Sequence, residues 1–369
     1  MLFVGRTRYR LPLDPQLARK WDALGAKMDL HVLARAAESK QAGADPRFRL
    51  ARPVHPTVLD GIAFYASLPF RVARELRRID PGAVFTQSPY EAAAALAARR
   101  VVGSRARVIV ELHGDWRTAT RLYGSRFRRL LEPLTEPVAR AALRRADVVR
   151  TISGFTTELI RPLGREPGAV FPAYVDLAAF LAKPTAPLPE QREALFVGVL
   201  ERYKGIDVLA QAWPRVVDRV PEARLRIVGT GPEAPIVERL AAAVPGVDWQ
   251  RRLSQDEVVE ALDDASLLVL PSRSEGLPRI VIEAFCRGRA VVGAVAGGIP
   301  DIVEDGVSGL LVPPEDPEAL ADALVRCLED SALLERLGAD ARSSVTPWLQ
   351  TPEEFADRML ALVERAFAA

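Results

Sequence analysis

Two cysteines, Cys286 and Cys327, are all that 369 residues contain. They are far apart and form no CxxC pair, which argues against a disulfide framework and a thiolate zinc site and sets the expectation of a reducing cytoplasm. Only three histidines occur, His31, His55 and His113. They are too few and too scattered for a metal cluster, so neither metal nor cofactor is expected. No run of 18 apolar residues appears, so no single helix is expected to span a membrane. The opening "MLFVGRTRYR" turns charged after one short apolar run, too short for a signal-peptide core.

A net excess of charge is lacking overall, with 50 Lys and Arg against 48 Asp and Glu. The balance hides a split. Residues 1–171 hold 30 basic and 16 acidic side chains, and the remainder holds 20 and 32. Such asymmetry points the first half towards something anionic. Basic residues cluster in "FRVARELRR", with Arg71, Arg74, Arg77 and Arg78, and in "RLYGSRFRRLLEPL", with Arg121, Arg126, Arg128 and Arg129. Interleaved apolar residues suit an anionic membrane surface, although arginine-rich helices are also ordinary solvated faces.

Short Val/Ile/Leu-rich runs alternate with longer helical patterns. Strands are expected at "MLFVG", "MDLHVLA", "AVFTQS", "RVIVELHG" and "DVVRTIS", and again at "EALFVGVL", "ARLRIVGTG", "SLLVLPS" and "AVVGAVA". Helical stretches between them indicate parallel sheets covered on both faces. The Pro/Ala-rich segment 171–194 divides the series. The fold class is therefore α/β, with two Rossmann-like domains and a ligand cleft expected between them. The expected domains are 1–172, completed by a final helix 352–369, and 190–346.

In "SRSEGLPRIVIEA", Glu275 and Glu283 are separated by seven residues. Glu275 falls in the loop after a strand, where open α/β sheets bind ligands. Pro278 suits the first turn of the next helix, Glu283 lies within it, and Gly288 fits just past its end. A helix start offers amides to a phosphate, and carboxylates accept from hydroxyls. Together they would suit a nucleotide sugar. On spacing alone the pair reads equally well as a turn residue and a solvated helix residue. Lys204, at a strand's carboxyl end in "FVGVLERYKGIDVLAQA", could meet a diphosphate. "RIVGTGPE" could bring backbone close to a ligand, but it is not GxGxxG. His113 ends the strand "VIVELHG".

These segments, with "GGIPDIVEDGVSGLLVPPEDPEALADAL", resemble glycosyltransferase family 4 in order and spacing. In the first half the resemblance rests on "LARKWDALGA", "ELHG", "ARAALRRADVVRTIS" and "PAYVDLAAF". It implies the GT-B fold and retaining transfer from a nucleotide-diphosphate sugar to a hydroxyl acceptor, lipid-linked or a growing glycan. It implies that Glu275 and His113 lie near the transferred sugar and Glu283 at the ribose. Lys204, with Arg202, would take the diphosphate. Gly198, Gly229, Gly276 and Leu277 would line the donor side, and Gly5 the family's glycine-rich first loop. It also implies no covalent glycosyl-enzyme, with the departing phosphate helping to deprotonate the acceptor.

The sequence departs from the pattern at three places. Val199 stands where the family often has arginine. Gly276-Leu277-Pro278 replaces Gly-Phe-Gly, and proline lacks an N–H. "GRTRYR" replaces paired glycines. The alternatives are a non-catalytic sugar- or lipid-binding protein, and a dinucleotide-dependent oxidoreductase, which would need the absent GxGxxG. The expected setting is cytoplasmic, peripheral at the membrane's inner face, with no nucleic-acid partner.

Overall fold

The computed structural model describes residues 1–39, 41–54, 57–118 and 132–368. His55 and the arginines at 121, 126, 128 and 129 lie outside them. The described chain forms two compact units. One takes residues 1–117, 132–174 and 350–368, and the other takes 175–349 with Thr118.

The first unit holds a parallel sheet of seven strands: β1 (Leu2–Tyr9), β2 (His31–Ala36), β3 (Phe48–Ala51), β4 (Ala83–Thr86), β5 (Arg107–Leu112), β6 (Val148–Thr151) and β7 (Ala169–Val170). Their spatial order is β3-β2-β1-β4-β5-β6-β7. Alternate side chains serve opposite faces, as strand geometry requires. Val108, Val110 and Leu112 of β5 join Leu68, Ala95 and Leu143 from the helices Thr57–Ile79, Pro89–Val102 and Glu132–Arg145. Ile109 faces the other way, with Trp21 of helix Pro15–Lys27 and Phe355 and Met359 of helix Pro352–Ala368. Two of these helices begin where the sequence supplies a cap and a proline: Asp14 accepts from the Leu17 amide and Ser88 from that of Tyr90.

The second unit holds six parallel strands: β8 (Glu193–Val197), β9 (Arg224–Val228), β10 (Val247–Gln250), β11 (Leu267–Leu270), β12 (Ala290–Ala294) and β13 (Gly309–Val312), in the order β10-β9-β8-β11-β12-β13. Helices Ile206–Arg219, Ala234–Ala243 and Pro317–Glu329 cover one face around Trp213 and Leu324. Helices Gln255–Asp264 and Arg279–Cys286 cover the other, around Leu262 and Phe285.

Nine strands stand where the sequence places them. The four it does not announce, β3, β7, β10 and β13, are the outer strands of the two sheets. A second difference lies at Gly5. The expected loop is part of β1, which continues to Tyr9 and pairs with β2. The ladder is irregular there: Val4 to Arg8 on β1 spans what Leu33 to Arg35 covers on β2. The extra residues bulge, and pairing with β4 stops at Val4. Pro278 also differs slightly, standing as the N-cap of helix Arg279–Cys286 rather than inside its first turn. In each sheet the strand order reverses once, between β1 and β4 and between β8 and β11. Crevices at such reversals, beyond the strands' carboxyl ends, are where open α/β sheets hold ligands.

Candidate functional site

At the reversal in the second unit, the loop after β8 meets the loop after β11. Arg202–Lys204 forms one tight turn closed by Gly205. Gly205 has φ +67°, and a Cβ on it would fall 2.0 Å from the Pro271 carbonyl oxygen, so only glycine fits. This backbone contact sets Lys204 against Glu275. Lys204 Nζ donates to Glu275 Oε1 at 2.6 Å, and Ser272 Oγ donates to the same oxygen at 2.8 Å. Both members of the ion pair are buried. Gly198 lies against the lysine stem, where a Cβ would make ordinary contact with Lys204 Cε at 3.4 Å.

The Glu275 loop is held from both sides. Arg273 grips both oxygens of Asp207, at 2.7 and 2.8 Å, and reaches Glu315 at 2.8 Å and the Arg202 carbonyl at 2.7 Å. Its own N–H donates to the Tyr203 carbonyl at 2.7 Å. Such a bidentate guanidinium fixes geometry as well as charge. On the far side, Gly298 donates its N–H to the Glu275 carbonyl at 2.9 Å, and a Cβ on Gly297 would lie 2.0 Å from that carbonyl oxygen.

Glu283 lies one turn into the following helix and is buried. Burial pushes its carboxyl above the usual glutamate range, and Arg279, 3.3 Å away, partly opposes the shift. The helix starts at Pro278 without a side-chain cap. Gly276 is half-buried, and Leu277 packs partly on the core. Gly229 follows β9 and touches the same assembly, because a Cβ there would fall 1.9 Å from the Gly198 carbonyl oxygen. Val199 and Arg202 are both exposed beside the turn.

In the first unit, His113 leaves the end of β5 with 41% of its side chain exposed, and its Nε2 meets Glu111. Desolvation lowers the imidazole towards about 4, helped by the Lys20 cation and opposed by Glu91. Gly5 lies against Gln87, whose Oε1 would be 2.0 Å from a Cβ at that position. Thr7 donates to the same Gln87 oxygen at 3.1 Å.

The family model described as Glycosyltransferase Family 4 matches residues 16–179, and that described as Glycosyl transferases group 1 matches 191–330. The chain belongs to glycosyltransferase family 4. Among curated relatives of this family 4 chain, a D-inositol 3-phosphate glycosyltransferase of Streptomyces griseus is 39% identical over 40% of this chain. The match spans only 34% of that protein, about a third of its length. Among solved structures, a sucrose-phosphate synthase from Thermosynechococcus elongatus aligns over 100% of this chain and 99% of its own, with a TM-score of 0.77 at 20% identity. Anabaena HepE, solved with UDP-glucose, aligns over 100% and 99%, with a TM-score of 0.68 at 16% identity. These likenesses give the GT-B fold.

The second unit of this family 4 chain thus brings Gly198, Lys204, Gly229, Glu275 and Gly276 to one reversal point, with Glu283 on the helix that follows. His113 and Gly5 belong to the other unit. Sequence reading missed Ser272, Arg273, Asp207, Gly297 and the Glu111 contact to His113. Ser272 and Arg273 lie inside the quoted motif, but Arg273's partner Asp207 is 66 positions away.

Proposed function

We propose that the protein is a retaining glycosyltransferase that moves a sugar from a nucleotide-diphosphate sugar to a hydroxyl acceptor. The observation that carries this reading is the buried Lys204–Glu275 pair at the β8/β11 reversal, beside an uncapped helix start. Lys204 can neutralise charge on a departing diphosphate. Glu275 can accept from sugar hydroxyls, and Glu283 from ribose hydroxyls. In the step itself the bond from the anomeric carbon to the phosphate oxygen breaks. The acceptor oxygen bonds to the same face, and its proton passes to the departing phosphate. HepE's structure with UDP-glucose supports a nucleotide-sugar donor. A thermal-shift panel of UDP, GDP and ADP sugars, followed by transfer and hydrolysis assays, tests the reading. Binding without turnover would favour the non-catalytic alternative, and no response to any nucleotide sugar would overturn the proposal.

Glu283→Gln is expected to raise the apparent donor constant about tenfold while leaving kcat nearly unchanged, since a ribose contact is shared by ground and transition states. The pH dependence has a definite sign. A raised carboxyl pKa means that Glu283 protonates earlier as pH falls. Donor KM should therefore climb on acidification from a pH above the ordinary glutamate range, and this limb should vanish in Glu283→Gln. Steady-state kinetics of both proteins across pH is the check.

The partner on the first unit is an anionic lipid surface. Along helix Thr57–Ile79 the exposed positions recur every four residues: Ile62 (62% exposed), Ala66, Phe70 (78%) and Arg74, followed by Arg77 and Arg78. Apolar side chains leading into basic ones suit a headgroup layer, and each basic residue near an anionic leaflet contributes about 1 kcal/mol. Among the described residues no helix is long and apolar enough to cross a membrane, so contact would be peripheral, at the cytoplasmic face. The protein should float with anionic vesicles at low salt, and release at high salt or as Phe70→Asp. Failure to bind anionic vesicles at low salt would leave this face without a lipid role.

A further inference from the structure

One buried ion pair in the first unit has no part in the chemistry above. Glu111 on β5 and Arg150 on β6 stand opposite each other in the parallel register, and both are buried. Arg150 Nη1 meets Glu111 Oε2. Its Nη2 donates to the carbonyls of Phe171 and Pro172 at 2.9 and 2.8 Å, and the guanidinium lies 3.8 Å over the Phe171 ring. Phe355 of the last helix closes the same face. Glu111's other oxygen, Oε1, meets His113 Nε2. Ile109 and Glu111 share one face of β5, and His113 follows directly on its last residue, Leu112.

A pair of apolar side chains of this size would hold the sheet at least as well as a buried ion pair. What the pair adds is direction at the strand's end. A carboxylate can only accept, so the nitrogen against it must carry hydrogen. Arg150 already balances the carboxylate's charge, which leaves the imidazole little reason to take a second proton. The Lys20 cation acts in the same sense, against the Glu91 carboxylate. A neutral ring whose Nε2–H is committed to Glu111 keeps a lone pair on Nδ1, and that nitrogen can accept but not donate.

We infer that the Glu111–Arg150 pair is a positioning device: it fixes His113 as the Nε2–H tautomer, so that Nδ1 accepts a hydrogen bond from a hydroxyl of the donor sugar. The part concerning the sugar rests on the transferase reading, whereas the tautomer does not.

The chain has only three histidines, so the ring nitrogens of the full protein, labelled with 15N-histidine, are separable by two-dimensional long-range 1H–15N NMR. In the wild type at neutral pH, His113 should show a protonated Nε2 and a bare Nδ1. In Glu111→Gln, Arg150 retains the amide oxygen, and the amide NH2 is turned to His113. Nε2 must then accept, so the proton should move to Nδ1, with kcat falling about tenfold or more and donor KM changing less. In the double variant Glu111→Gln/Arg150→Met the guanidinium is gone, and the amide oxygen is free to face His113. The Nε2–H form and part of the rate should return, which a merely structural role would not produce. A wild-type His113 that is protonated at Nδ1 would overturn the proposal even if Glu111→Gln cannot be folded. So would a Glu111→Gln protein that keeps Nε2–H. A switched tautomer with unchanged kcat would overturn His113's contact with the sugar. A wild type that binds no nucleotide sugar would strike the functional reading and leave the tautomer result standing.

Discussion

Lys204→Ala is expected to lower kcat/KM for the donor about 10- to 150-fold, the equivalent of roughly 1.5–3 kcal/mol for a hydrogen bond to a charged group. The same substitution should also cost stability. Lys204 is paired with Glu275 in a buried setting, with their nearest atoms 2.6 Å apart. Removing one partner leaves a buried charge uncompensated, and such losses run to about 3–5 kcal/mol. The two effects can be separated. In Lys204→Ala/Glu275→Gln no charge is stranded, so most of the lost thermal stability should return while kcat/KM stays low. Calorimetry or thermal melts, run beside initial rates at subsaturating donor, give both readings. Unchanged kcat/KM in the single variant would remove Lys204 from the diphosphate.

Glu275→Gln is expected to act in the opposite pattern. Turnover should fall by about 100-fold or more, the scale seen when a preorganised electrostatic group is removed from a reacting centre. The donor KM should not rise. In the free protein Glu275 holds Lys204, and the neutral amide holds it less tightly. The lysine is then more available to a diphosphate, and the carboxylate's repulsion of that anion is gone. Nucleoside diphosphate itself should bind at least as tightly as to the wild type. Single-turnover kinetics with isothermal titration of the diphosphate would check the split. A large rise in donor KM with kcat intact would place Glu275 in ground-state binding instead.

The core strands were readable because burial on both faces writes an apolar run into the sequence. Val291 and Val292 of β12 or Leu267–Leu270 of β11 admit hardly any water. Of the outer strands, β13 is apolar and nearly as buried, but β7 and β10 carry no such run. Val247–Gln250 is only part-buried and includes Asp248, and Ala169–Val170 is two residues long. One open side lets polar residues in, and the periodic signal fades. The site divides in the same way. Glu275, Glu283 and Lys204 could be picked out because each lies at a strand end or on the next helix. Arg273 could not be paired with Asp207, nor Glu111 with Arg150, because those partners are chosen by sheet order rather than by spacing. Gly297 gave no sign of its contact with Glu275 for the same reason. Gly5 was misplaced as a loop because nothing local shows that β2 goes on pairing past the bulge.

The path of the chain through its two units has a consequence for how the protein is made. Phe3, Phe85 and Ile109 are covered in part by Phe355, Ala356 and Met359, yet residues 175–349 lie between the last strand of that sheet and this helix. At about 5–20 residues per second, the ribosome needs on the order of 10–30 s to traverse them. During that interval the seven-stranded sheet has all its strands and lacks one of its covers. The Lys204–Glu275 half can close first, since every residue of its sheet has emerged by then. The nascent chain therefore carries an open apolar face beside a finished neighbour, and this is the stage at which a chaperone would be needed most.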